Sequence, residues 1–291
     1  MKTLTPAVLK DRSLVGDVLA FPSEEAALRC WWLGQSGFLL SWMGRHFLLD
    51  PYLSDSLTSK YARTDKPHVR CSERVVDPHL LDFIDLVTAS HLHTDHLDGD
   101  TLRPLLACNP ALTLLIPEAI RAEAVRRLGC ATDLPTGMEA GQTLVWPAWG
   151  LSVTAVPAAH ELLDRDAFGR NLYLGFVLRF GPFSVYHSGD TVWFEGMEDL
   201  LRPFDVDIAF LPINGRHPER RVAGNLSPEE AVRLADAIGA KTVVPCHYDM
   251  FRFNTANPQV FVDAARSAGQ PFRVFRNGEG ATYHAKLGFL S

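Results

Sequence analysis

The chain has 291 residues, 47% apolar and 21% charged, and its 28 basic and 34 acidic side chains leave a formal net charge of −6. This average, mildly acidic composition excludes a disordered polyelectrolyte, a collagen-like repeat and a polybasic nucleic-acid binder. The length suffices to bury a core without staples, and the five scattered cysteines (Cys30, Cys71, Cys108, Cys130, Cys246) include no CxxC pair, so free thiols in a reducing, cytoplasmic setting are expected. Residues 1–28 interrupt their apolar positions with Lys10, Asp11, Arg12 and Asp17, unlike the apolar core of a signal peptide. No apolar run approaches the ~20 residues of a membrane span, so no stable membrane association is expected.

In chain order, Cys30–Trp42, His46–Asp50, Asp85–Ser90 and Leu112–Pro117 read as strands, rich in Val, Leu, Ile and aromatics and bounded by Gly, Pro or Asp. Pro117-Glu118 then opens a helix that Gly129 closes after Arg126-Arg127. Leu151–Pro157 is a further strand, and Leu172–Phe180 and Phe183–His187 flank Gly181-Pro182 as a hairpin. After a strand at Asp207–Pro212, Ser227 caps a helix that begins with Pro228-Glu229-Glu230 and runs to Gly239. Thr242–Pro245 is a strand, Asn257-Pro258 to Gly269 a helix, and Phe272–Arg276 a last strand. Paired strands followed by strands with helices, twice over, predict an α/β fold: a four-layer αββα sandwich of two mixed β-sheets. One domain over 1–291 is expected, with 1–28 as an N-terminal extension packed on it.

The segment Ser90-His91-Leu92-His93-Thr94-Asp95-His96 follows the apolar run Phe83–Val87 and places three histidines and an aspartate in six residues. In extended chain, alternate side chains share a side, so His91 and His93 suit one cation, while Asp95 and His96 diverge and suit a second. Neutral imidazole and carboxylate are donors for Zn²⁺, Mn²⁺ or Fe²⁺. Three other strand ends offer a ligand-capable residue: His160 after Val156-Pro157, Asp190 after Tyr186–Gly189, and His247 after Thr242–Cys246.

This HxHxDH pattern, followed by separate His, Asp and His at strand ends, resembles the metallo-β-lactamase superfamily over nearly the whole chain. Cys30–Phe38, Tyr186–Thr191 and Val243–Pro258 are similar to the L-ascorbate-6-phosphate lactonase group, and Ser227–Ala231 more distantly to N-acyl-phosphatidylethanolamine phospholipase D. The chain departs from those lactonases in carrying His160 at an acidic position and Tyr248 at a histidine position. The resemblance implies two divalent metal ions: His91, His93 and His160 on the first, Asp95, His96 and His247 on the second, and Asp190 bridging. It implies a hydrolase in which a hydroxide shared by the two metals attacks, with Asp95 and Asp190 as the catalytic carboxylates.

Around that set, Asp50 at the end of His46–Leu49 reads either as support for a ligand histidine or as a turn residue before Pro51. Gln35, Asn214, His217, Tyr248 and Arg252 are the candidate substrate contacts, and an arginine at 252 would suit a phosphate or carboxylate. The expected substrate is a small polar molecule, a lactone or related ester, with or without a phosphate. A phosphodiesterase acting on a phospholipid head group or nucleotide, and a non-catalytic metal-binding protein, are the competing classes. Long nucleic acid is disfavoured by the net charge of −6, and a homo-oligomer is left open.

Overall fold

The computed structural model describes residues 4–290, so Met1–Thr3 of the expected 1–28 extension lie outside it. The chain first lays down six strands: β1 (Ala27–Gly34), β2 (Gly37–Trp42), β3 (Arg45–Leu49), β4 (Leu86–Thr88), β5 (Thr113–Pro117) and β6 (Pro135–Met138). Six more build a second sheet: β7 (Thr143–Trp146), β8 (Leu151–Pro157), β9 (Leu174–Phe180), β10 (Phe183–His187), β11 (Ile208–Pro212) and β12 (Thr242–Cys246). β13 (Gly280–His284) and β14 (Gly288–Phe289) then return to the first sheet, beside β1. The orders are β14-β13-β1-β2-β3-β4-β5-β6 and β12-β11-β10-β9-β8-β7. Both sheets are mixed, with β3 to β6 parallel to one another in one and β10 to β12 parallel to one another in the other.

Strand alternation divides the core. Cys30, Trp32, Phe38, Leu40 and Phe47 point between the sheets and meet Val153, Phe176, Leu178, Val185 and Phe210. Trp31, Leu33, Leu39, Leu48 and Val87 point outward, where helices α1 (Arg12–Leu19), α3 (Gly99–Cys108) and α4 (Arg121–Leu128) cover them with Leu14, Leu102 and Ala124. Helices α6 (Pro228–Ala237) and α7 (Pro258–Ala268) cover the second sheet through residues such as Leu234 and Phe261. The result is the four-layer αββα sandwich. Two short helices, α2 (Ser56–Tyr61) and α5 (Met197–Leu201), lie in connections.

The helix signals correspond to the observed ends. Ser227 and Glu230 form a capping box, Asn257 accepts from Gln259 N, and Gly129 and Gly269 close α4 and α7 in the left-handed region. Elsewhere the elements differ from expectation. Cys30–Trp42 is two strands, because the chain reverses between Gly34 and Gly37. Phe272–Arg276 makes only a single bridge, from Phe272 to Val243, and the pairing strand is β13. The Pro117 helix begins as a 3₁₀ turn at Glu118–Ile120.

This topology sends the C-terminal ends of β1, β3, β4, β8, β10 and β12 to one edge of the sandwich. The residues that follow those ends face each other there.

Candidate metal centre and its cavity

At that edge, donor atoms of His91, His93 and His160 lie within 4.8 Å of one another, and so do those of Asp95, His96 and His247. Asp190 touches both groups. Its Oδ1 is 3.4 Å from His96 Nε2, and its Oδ2 is 3.7 Å from His160 Nε2 and 3.6 Å from His247 Nε2. The Oδ2 of Asp95 is 3.6 Å from His247 Nε2 and 3.8 Å from His96 Nε2. Gly189 makes the approach feasible: it has φ +60°, and a Cβ there would lie 2.5 Å from that of Ser90.

Other groups aim the rings. His96 Nδ1 donates to Asp50 Oδ2 at 2.6 Å, His91 Nδ1 lies 3.0 Å from Ser90 Oγ, and His160 Nδ1 donates to the Gly224 carbonyl at 2.9 Å. Each ring therefore turns Nε2 toward the centre, the arrangement that metal-binding histidines require. Asp50 itself accepts from Thr88 Oγ1, Ser90 N and Ser90 Oγ. It thus supports the rings, although its carboxylate also lies within 4.8 Å of donors on His91 and His96.

The site's polar atoms are incompletely satisfied. The buried atoms His91 Nε2, His96 Nε2, Asp190 Oδ1 and His247 Nδ1 have no hydrogen-bond partner among the described residues. Buried orphan acceptors are costly, and an all-N/O donor set with this convergence fits a divalent transition metal.

Electrostatics separates the histidines. Burial, together with His96 and His93, drives His91 well below the usual imidazole pKa. Burial and His160 bring His93 down to about 4. Burial opposes the charge on His96, but the negative charges of Asp190 and Asp95, and the hydrogen bond its Nδ1 donates to Asp50, hold it well above the usual value. His247 is raised against its burial by Asp190 and Asp95. Burial likewise opposes ionisation of Asp190, yet His96 and His247 keep it well below the carboxylate range.

Above this floor opens a cavity of about 550 Å³ whose wall includes Gln35, His93, Asp95, His160, Asp190 and His247. Gln35 Nε2 donates to Asp95 Oδ2 at 3.0 Å. The remaining expected substrate contacts are not on the wall. Tyr248 is 1% exposed, stacks on Trp32 with centroids 4.3 Å apart, and donates its hydroxyl to the Phe275 carbonyl. The cause is backbone: His247 and Asp249 both have positive φ (66° and 56°), so the chain leaves extended geometry and Tyr248 turns into the core. Asn214 is buried and donates to Asn254 Oδ1 at 2.9 Å, clamping a wall residue without reaching the wall itself. His217 is solvent-exposed near Glu219, and Arg252 is exposed on the outside of its loop.

Sequence reasoning missed Lys60, Tyr61, His68, Arg127, Tyr173 and Phe253, all on the wall. Most sit in loops or on short elements with no periodic signal, and only folding brings them to the cavity. Several positive-φ residues gather here too: Gln35, Asp50, Arg221, His247 and Asn254, consistent with backbone strain concentrating at functional sites. Among the described residues no helix is long and apolar enough to cross a membrane.

Comparison with known proteins places these observations in context. Residues 45–248 match the model of the beta-lactamase superfamily domain, a span that includes every residue of both donor groups. A UPF0173 metal-dependent hydrolase of Methanosarcina mazei is 30% identical over 245 residues, 83% of this chain and 92% of the relative. Among solved structures, Igni18, a metallo hydrolase from Ignicoccus hospitalis, superposes with a TM-score of 0.65 at 24% identity, covering 89% of this chain and 99% of its own. An isothiocyanate hydrolase from Delia radicum gut bacteria shares the fold at a TM-score of 0.69 and 19% identity, over 87% of this chain and 98% of its own.

Proposed function

Since the chain belongs to the metallo-β-lactamase superfamily and is a metal-dependent hydrolase, we propose that its cavity cleaves a lactone or related carboxylic ester of a small polar molecule. His91, His93 and His160 would hold one divalent cation, Asp95, His96 and His247 a second, and Asp190 both. The observation that carries this reading is the placement of Asp190, within 3.7 Å of a histidine of either group. Bound Zn²⁺ or Mn²⁺ would supply Lewis-acid activation of water and of the scissile carbonyl near neutral pH.

The chain's own groups do the rest. Asp95 is the more exposed carboxylate of the cluster, at 15% against 4% for Asp190, and Gln35 tethers one of its oxygens. It takes a proton from water as the oxygen adds to the carbonyl carbon, and returns that proton to the departing alkoxide as the C–O bond breaks. Asp50 holds the His96 ring in register through the 2.6 Å contact. The walls of Tyr61, Leu92, Ile120, Leu172 and Phe253 shield the centre from bulk water.

A phosphodiester substrate is the second reading. Lys60 and Lys66 reach the same cavity, where their ammonium groups donate to Thr94 Oγ1 and to the Arg221 carbonyl and, among the described residues, not to a carboxylate; both suit an anionic ester.

Metal analysis of protein purified without added metal, expected to find up to two equivalents of transition metal, tests the centre. Parallel assays on simple lactones and on bis(p-nitrophenyl) phosphate, with His93→Ala as blank, test the substrate. Turnover of the phosphodiester alone would overturn the lactone reading in favour of the second.

A further inference from the structure

The cavity holds one more imidazole, His68, that belongs to neither donor group. It lies in the connection after α2, which hydrogen bonds tie down on both sides. Thr58 Oγ1 donates to the His68 carbonyl at 2.8 Å. The next residues are stitched to the loop after His247: Arg70 bridges Phe251, Arg252 N donates to Val69 O at 3.0 Å, and Cys71 N donates to Met250 O at 2.7 Å. The ring itself sits among three aromatics. Phe251 and Phe253 meet it edge-on at 5.3 and 5.2 Å, and Tyr61 lies tilted at 4.5 Å.

Its two nitrogens have different surroundings. Nδ1 is 3.0 Å from the Lys66 carbonyl, an acceptor only, so Nδ1 carries the proton. Nε2 bonds to none of the described residues, is not among the buried orphan atoms, and so stays open to the cavity. Burial lowers the ring's basicity and favours the neutral form. A neutral ring with its proton on Nδ1 presents a bare lone pair at Nε2. Lys60, Lys66 and Arg127 on the same wall present donors.

Resting on the hydrolase reading of the floor, we propose that His68 is a substrate-binding, specificity-determining residue whose Nε2 accepts a hydrogen bond from a substrate hydroxyl, selecting hydroxylated lactones or esters over their deoxy counterparts. A substrate that fills the cavity displaces water from Nε2, so an analogue that lacks the matching donor leaves this acceptor unpaired.

The test compares D-glucono-δ-lactone with δ-valerolactone on the metal-loaded protein. Wild type should favour the hydroxylated lactone in kcat/KM, and His68→Phe should reduce that preference by about tenfold. His68→Gln, which restores an acceptor oxygen, should recover part of it. Metal content and melting temperature of both variants separate this effect from misfolding. Ring ¹⁵N resonances of wild type should place the proton on Nδ1, and gluconolactone should move the Nε2 signal. An unchanged preference in His68→Phe, or a proton found on Nε2, overturns the assignment. If wild type hydrolyses neither lactone, the lactone reading of the floor fails, and the Nε2 response to added gluconolactone still decides the role of His68.

Discussion

At the floor of the cavity, functional side chains leave the ends of strands whose ladders hold them in place; at its rim they hang from connections tied by a few hydrogen bonds. His160, Asp190 and His247 follow β8, β10 and β12 by no more than three residues. His160 is then aimed by its bond to the Gly224 carbonyl, and His247 contacts Gln35. The rim instead uses α2, its following loop and the 248–254 turn; the loop is joined to the turn through Arg70–Phe251 and to Arg221 through Lys66 and Asp65. The floor is thus suited to fixed chemistry, and the rim to choosing what enters.

The sharpest break of that contrast is Asp95→Asn. Turnover at saturating metal should fall by about 10²–10⁴ while the fold is retained; wild-type turnover with both metals bound would remove Asp95 from the proton path. Next comes Asp50→Asn, one layer below. Exchanging the charged carboxylate that faces His96 Nδ1 for a neutral amide should weaken metal affinity about 10–100-fold, read by competition with a chelator.

Acid should divide the floor itself. In the metal-free protein His96 and His247 are raised, so each keeps its proton to higher pH and must release it to bind a metal. His91 and His93 are lowered, the latter to about 4, so they stay neutral, ligand-ready, as pH falls. Affinity at the His96/His247 group should therefore fall first as pH drops below neutrality, leaving close to one equivalent bound before the protein is stripped. Metal titrations at pH 7.5 and 5.5 would show it, and simultaneous loss of both equivalents would contradict this ordering.

The smallest effect belongs to the rim's discarded candidate. Tyr248→Phe removes the bond to the Phe275 carbonyl and should cost about 0.5–1.5 kcal/mol of stability, read by denaturant melts, with kcat/KM within about twofold of wild type. A large catalytic loss at unchanged stability would return Tyr248 to the cavity.

The metal cluster was legible before folding because its signal is local: His91, His93, Asp95 and His96 crowd one loop, and the other donors each follow an apolar strand. Substrate contacts were read from adjacency to those donors, and adjacency misleads where the backbone turns. Asn214, Tyr248 and Arg252 lie near donors in sequence or space, yet Asn214 clamps Asn254, Tyr248 stacks on Trp32 and Arg252 faces outward. His68 and Lys60 gave no warning because nothing in their neighbours is periodic or metal-like.

What the amino-acid sequence determined alone is the pattern that needs only near neighbours: apolar alternation for the strands, caps for α6 and α7, and donor residues at strand mouths. Which mouths face one another, which carboxylate stands between the two groups, and which imidazole stays open to the cavity were decided by tertiary packing. That division has a physical cause. Strand periodicity and capping act over a few residues, whereas the Asp190 contacts and the stitching of 69–71 to 250–252 join segments far apart in the chain, whose relative placement exists only once the two sheets close on their shared core.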